Sequence, residues 1–463
     1  MTFVESMRRA LNSPSFKFII VVILTLALTI PLLFVYGLLY ERESYSNAAK
    51  REIGEMWGGP QTIAGPFLVV PTEQRVELTT TGSSAAGAAQ PVSVRTEIRR
   101  KFAVFLPETL TIAPDMQSEV RRRGIFEVPV YRAKIRISGS FVAPEQRRIA
   151  QAADRILWSE AVLVSLISDV RGIKSTAEIK IGEGPARKFR AGVGLAGLNT
   201  RGIHVPIPEA DATGGFTFAY DLELNGSTAF NVTPAGGDTI VNMTSDWPHP
   251  SFAGSFLPES RSISDAGFEA RWAIPRLARG QGQVRHVQQL RPLATEMQFG
   301  VQFFQPVRFY SLAQRALKYA LGFIAIAFFA VFIMEIQSRT RVHWIQYIFT
   351  GLALVIFYVL LIGTSEHIGF DRGYLSASVA TSVLIGIYFG SVIRSVGRGL
   401  AMFTVLALIY GLLYLLLRLE DYALLVGSIA AFVLIATVMF ATRNVDWSTG
   451  AAPTLGGSKP SNA

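Results

Sequence analysis

Residues 18–40, 316–336, 344–363, 374–393, 399–417 and 422–441 form six apolar stretches. Each is close to the roughly 20 residues that an α-helix, rising about 1.5 Å per residue, needs to cross a hydrocarbon core about 30 Å thick. The first stands alone near the N-terminus, and the other five crowd the last third of the chain. Only 17% of the 463 residues are charged, against about 25% in soluble domains, and the mean hydropathy is +0.34. A purely soluble fold and a disordered chain are both excluded. The first stretch follows Arg8, Arg9 and Lys17, as a secretory signal does. It is too long for a signal core, and no small-x-small cleavage site follows Tyr40, so it reads as an uncleaved anchor.

The short connections alternate in charge. The N-terminal segment 1–17 holds three basic residues and Glu5. Arg339 and Arg341 join the second and third stretches. The next connection, 364–373, carries Glu366, Asp371 and a single Arg372. Residues 394–398 are purely basic, and Arg418-Leu419-Glu420-Asp421 is net acidic. Basic connections stay in the cytoplasm, so both termini, including the tail 442–463, are expected inside the cell. Residues 41–315 are then expected outside the cytoplasm, on the far side of the membrane. That segment holds 32 of the 44 basic and 27 of the 34 acidic residues, a net +5, and the other half of the formal charge of +10 reflects membrane topology. Arg99-Arg100-Lys101 and Arg121-Arg122-Arg123 are the only basic clusters in it, and both adjoin strand-like runs. No nucleic-acid partner is expected.

Residues 41–315 read as mostly β. Alternation of period two recurs over 92–106, 128–141 and 216–224. Asn225-Gly226 and Gly236-Gly237-Asp238 mark turns, the second flanked by 230–232 and 239–244 as in a hairpin. The apolar spacing of 145–170 predicts a single helix packed on a sheet, and 81–91 reads as a low-complexity loop. A short echo, Phe105-Leu106-Pro107-Glu108 against Phe256-Leu257-Pro258-Glu259, raises the alternative of two related β halves. The expected fold is a polytopic α-helical membrane protein: one N-terminal helix, a C-terminal five-helix bundle, and a large β-rich, sandwich-like domain outside the cytoplasm (periplasmic, if the membrane is a bacterial inner membrane) inserted between the first and second spans.

Several motifs together carry a resemblance. Trp57-Gly58-Gly59-Pro60-Gln61-Thr62-Ile63-Ala64-Gly65-Pro66 follows the first span, ahead of Val69-Val70-Pro71. Then come Arg122-Arg123-Gly124-Ile125-Phe126-Glu127-Val128-Pro129-Val130-Tyr131, and Trp247-Pro248-His249-Pro250-Ser251-Phe252-Ala253-Gly254 leading to Trp272. Ser365-Glu366-His367-Ile368-Gly369-Phe370, Glu420-Asp421-Tyr422 and Thr442-Arg443-Asn444-Val445-Asp446-Trp447 complete the series. In this order they resemble the CreD family of bacterial inner-membrane proteins, known as cell-envelope integrity proteins. The resemblance covers nearly the whole chain, apart from the first dozen residues, the 81–91 loop and the tail beyond Trp447. It implies a role in envelope-stress and β-lactam responses and in colicin tolerance, and it supplies no catalytic residues.

Chemistry is sparse. The chain has no cysteine, which removes disulfides, thiolate nucleophiles and thiolate-bound metals. His-Glu-x-x-His, Gly-x-Ser-x-Gly and P-loop spacings are absent, the five histidines are scattered, and no metal or cofactor is expected. Asp246-Trp247-His249, with Glu259 and Asp265 nearby in sequence, is the best outer-domain cluster. Paired carboxylates there would suit a membrane-tethered hydrolase of cell-wall or glycan substrates, and a proline-rich turn capping a sheet is the structural alternative. A transporter is the third reading, disfavoured because the span interiors are nearly free of charge. Ser378, Ser382, Gly386 and Gly390, and again Ala423, Gly427 and Ala431, recur every four residues, a spacing that lets helices approach closely. Such stripes serve packing within the chain or pairing in a homo-oligomer. Glu366, His367, Glu420 and Asp421 are expected at the outer end of the bundle, available to dock the β domain. The favoured function is non-catalytic: an envelope-integrity factor that sits in the lipid bilayer and binds a periplasmic or inner-membrane partner.

Overall fold

The computed structural model describes residues 14–80, 93–144, 154–195, 198, 200–280, 282, 284–287, 290–303, 309–338, 342–419 and 422–443. The chain divides into two compact units, Met1–Ser46 with Val307–Ala463, and Asn47–Pro306.

The first unit is helical. α1 (Pro14–Ala27) and α2 (Thr29–Trp57) are separated only by Leu28, whose N–H donates to Leu24 and whose carbonyl accepts from Leu32, so the helical ladder continues through it. Among the described residues, five helices are long and apolar enough to cross a membrane: Phe18–Trp57, Phe309–Ile336, Trp344–Ile368, Phe370–Ile393 and Val396–Arg418. A sixth apolar helix, Ala423–Thr442, has 20 residues. Large apolar side chains face outward all along these helices, among them Leu33, Phe34, Leu384, Ile387, Phe432 and Phe440. In water such a surface would drive association, whereas lipid solvates it. The helix that carries the apolar stretch 18–40 continues to Trp57. The connection expected over 364–373 shrinks to Gly369, whose φ of +82° joins two helices without a loop.

The second unit is two packed sheets. In chain order the strands are β1 (Gln61–Thr80), β2 (Ser93–Phe105), β3 (Thr109–Arg123), β4 (Phe126–Val142), β5 (Arg155–Ile156), β6 (Val162–Ile167), β7 (Glu178–Ile181), β8 (Arg187–Lys188), β9 (Arg190–Ala191), β10 (Gly202–Pro206), β11 (Gly215–Ser227), β12 (Ala229–Thr233), β13 (Asp238–Ser245), β14 (Pro250–Gly254), β15 (Ser260–Ser264), β16 (Gly267–Ile274), β17 (Val284–Val287) and β18 (Phe299–Phe303). The first sheet runs β14-β18-β12-β1-β6-β10-β9, with β2 and β5 also on β1 and β17 on β2. The second runs β15-β16-β13-β3-β4-β11-β7-β8. One apolar core lies between them. Two of the alternating runs fall in the second sheet: β4 over 131–137 and β11 over 216–224 present every other residue to the core and the rest to solvent.

Three local readings need correction. Residues 145–153 lie outside the described residues, but the rest of the expected helix is not helical: β5 and a 3₁₀ turn, Trp158–Glu160, lead into β6. Every residue of β6 is buried. A strand covered on both faces has no reason to alternate, and its apolar run mimics a buried helix. Asn225-Gly226 is no turn; it is paired strand within β11, opposite Arg132 and Tyr131. A Cβ on Gly226 would lie 2.2 Å from the Tyr131 hydroxyl oxygen, so the glycine accommodates a buried ring. Gly236-Gly237-Asp238 turns no hairpin either. It carries the chain from β12 in one sheet to β13 in the other, held where Gly237 and Asp238 N–H donate to Pro107 and Glu108 carbonyls. Both copies of the Phe-Leu-Pro-Glu echo make the same kind of crossing, from β2 to β3 and from β14 to β15.

Candidate functional site

The Trp57-Gly58-Gly59-Pro60 segment leads from α2 into β1 and anchors a buried polar knot. Gly58 has a φ of +134°, and a Cβ there would come within 2.5 Å of the Asn225 carbonyl, which only glycine avoids. Gln61, fully buried, donates from Nε2 to the carbonyls of Asp169 (3.1 Å) and Asn225 (2.9 Å). Its Oε1 accepts from the Asp169 N–H at 3.3 Å and from Ser168 Oγ at 3.2 Å. Asp169 Oδ2 accepts from the Gly59 N–H at 3.2 Å, and Arg171 closes a two-pronged bond on the carboxylate at 2.9 and 2.8 Å. The Arg171 guanidinium is the main reason that the Asp169 carboxyl is held down to about 2, with the Gly59 and Arg171 N–H groups acting the same way against burial. The knot ties β1 and β6 of one sheet to β11 of the other. Asn225 completes it, 1% exposed, with its Nδ2 unpartnered.

Beside the knot lies a cavity of about 330 Å³ on the outer face of the second sheet, bounded by β3, β4 and β11 and by Lys174. Cα partners across neighbouring strands share a face. Here Lys134 stands between Asp115 and Glu223, and Arg132 stands between Gln117 and Asn225. Arg132 and Lys174 both approach the Trp57 ring, at 5.3 and 5.7 Å from its centroid. Arg121 covers that ring at 3.7 Å and pairs with Glu119 at 3.1 Å. Trp57 is held by its Nε1, which donates to the Tyr131 carbonyl at 3.3 Å, and packs with Ile53 over Val128 and Val130. Tyr131 is fully buried, its hydroxyl donating to the Ala229 carbonyl at 2.8 Å, and burial pushes it well above the ordinary tyrosine range.

The sequence-derived candidates are distributed differently. Asp246 Oδ1 accepts from both the N–H (2.7 Å) and the hydroxyl (2.6 Å) of Ser118. Trp247 is nearly buried; its Nε1 donates to the His249 carbonyl at 3.1 Å and its ring meets Phe303 edge-on. Glu259 pairs with Arg271 at 2.9 Å. In the helical unit, Ser378 and Ser382 are buried, and Gly386 and Gly390 face Gly399 on the neighbouring helix, where a Cβ would come within 3.1 and 3.2 Å of Gly399 backbone atoms. Gly427 comes near Leu416, while Ala431 is exposed and the Ala423 side chain lies outside the described residues. Glu366 is buried within the same unit, 3.5 Å from Arg42, and accepts from the Tyr310 hydroxyl at 3.3 Å. His367 Nδ1 lies 3.0 Å from the Gly363 carbonyl. Glu420 and Asp421 lie outside the described residues.

Sequence reasoning missed Gln61, Asp169, Arg171 and the Arg132–Lys174 pair. Its one available signal was the doubled glycine between Trp57 and Gln61, two residues with no side chain where a strand begins.

These elements define a multi-helix membrane protein with a two-sheet β domain inserted after its first long helix. The chain belongs to the CreD family: the family model described as "Inner membrane protein CreD" matches residues 13–448. Inner membrane protein CreD of Escherichia coli (strain K12) is 32% identical over 437 residues, 94% of each chain. The resemblance carried by the motifs is borne out over nearly the whole sequence, and the protein is a multi-pass inner-membrane protein.

Proposed function

We propose that this protein keeps both termini in the cytoplasm, presents its β domain to the periplasm, and supports envelope integrity by binding a periplasmic or inner-membrane partner rather than by catalysis. The observation that carries the orientation is the alternation of the short connections. Arg339 with Arg341 and the 394–398 segment are basic, whereas the connections around Glu366 and Glu420-Asp421 are acidic. The non-catalytic reading is supported by the roles of the best acidic candidates: Asp246 holds Ser118 in place, and Glu259 is paired with Arg271.

A double variant, Asp246→Asn with His249→Ala, tests this in a strain whose envelope defect the wild-type gene corrects. At wild-type abundance the variant is expected to restore envelope integrity fully. Loss of rescue with normal folding and abundance would favour a tethered hydrolase.

A further inference from the structure

We propose that the cavity beside Trp57 is a binding site for a phosphate group, with Arg132 and Lys174 as its charged ligands. Four observations converge. First, the cavity, about 330 Å³, lies within the size range of small-molecule sites. Second, its cations have different cross-strand neighbours. Lys134 has Asp115 and Glu223 as its cross-strand neighbours, whereas Arg132 has only the amides of Gln117 and Asn225 beside it. Among the described residues, none of Arg132, Lys134 and Lys174 has an ion-pair partner within 4.0 Å, so it is the acidic flank of Lys134 that sets it apart from Arg132. Third, both converge on one indole, whose other cation, Arg121, is already paired with Glu119. Fourth, Asn225, which lines the same cavity, carries a buried amide nitrogen without a partner. A planar guanidinium fork, a mobile ammonium and amide donors form a set that matches the several acceptor oxygens of a phosphate better than a neutral ligand. Asp115 and Glu223 flank Lys134, and Glu223 also stands opposite Lys174 beyond the Ile173–Leu224 bridge, so the acidic side of the cavity would repel an anion and direct it toward Arg132, within reach of the long Lys174 side chain.

The phosphate could belong to a soluble phosphoester or to a lipid headgroup, and one experiment separates them. Full-length protein in a non-ionic maltoside detergent is titrated calorimetrically with glycerol 3-phosphate, and separately with a short-chain phosphatidylglycerol in mixed micelles. Arg132→Gln and Lys174→Gln are compared with the wild type and with Lys188→Gln, an exposed cation on β8. Arg132 and Lys174 are exposed, so their removal leaves the fold intact, checked by an unchanged thermal midpoint.

Binding of either probe that weakens at least about tenfold in both cavity variants, and stays unchanged in Lys188→Gln, is the expected result. A response to glycerol 3-phosphate identifies a soluble source, and a response to the lipid alone identifies a headgroup. Absence of binding by both probes, or equal binding by all variants, would overturn the proposal. Because the titration needs no orientation in a cell, the site can fail while the proposed topology stands, and the reverse.

Discussion

Trp272→Ala is expected to lower the thermal midpoint of the β domain in the detergent-solubilised protein by roughly 10 °C. The indole is 1% exposed and belongs to β16 in the second sheet. It packs against Phe299 at 5.4 Å and Phe252 at 5.7 Å, both on strands of the first sheet. Its Nε1 donates to the Phe256 carbonyl at 3.2 Å, so truncation also strips a carbonyl of its partner. Removing a buried indole costs about 3–5 kcal/mol, a large share of the roughly 5–15 kcal/mol that holds a domain folded. Leu277→Ala is the control: that side chain is 92% exposed, and its loss should leave the midpoint unchanged. An unchanged midpoint for Trp272→Ala, followed by far-UV circular dichroism, would mean that the two sheets do not share the core described here.

Asp169→Ala should be the next most damaging change, costing about 2–3 kcal/mol at neutral pH. It leaves the Gly59 N–H without its acceptor and releases the Arg171 fork. Asp169→Asn keeps the shape and loses the charge, so it should fall between alanine and the wild type. The pH dependence follows from the depressed carboxyl. A group held down to about 2 in the folded protein, against about 3.9 in an unfolded chain, adds stability that is fully present above the unfolded value. That contribution is lost as the pH falls through about 4 toward 2. The stability gap between wild type and Asp169→Asn, measured by denaturant unfolding, should therefore be flat above about pH 5 and narrow steadily below pH 4. A gap that stays constant down to pH 2 would remove the Asp169–Arg171 pair as its source.

The long apolar helices were legible because lipid imposes one simple rule: backbone polar groups must be satisfied within a helix, so a span shows itself as an unbroken apolar run. The alternating stretches of β4 (131–137) and β11 (216–224) were legible for a similar reason, since there each strand keeps one face in the core and one in solvent. β6 was not, because burial on both faces erases alternation. The link between β12 and β13 read as a hairpin because glycine-rich turns look alike whether they reverse a strand within one sheet or pass between two. The polar knot and the cavity beside it were hidden for another reason. Gln61, Asp169 and Asn225 are far apart along the chain, and so are Arg132 and Lys174. Only the exchange of strands between sheets brings them together. Asp246, Trp247 and His249 stood out by being adjacent in sequence, and their side chains and carbonyls serve a turn.

The topology is open to direct measurement, and the absence of cysteine makes that measurement clean. Single substitutions Asp265→Cys, at an exposed turn between β15 and β16, and Arg398→Cys, next to the basic connection between two helices, provide the only thiols. Cells with a permeabilised outer membrane are treated with a membrane-impermeant maleimide. The cysteine at 265 is expected to label in intact cells, and the one at 398 only after the inner membrane is broken. Labelling at 398 with protection at 265 would place the β domain in the cytoplasm and contradict the proposed orientation.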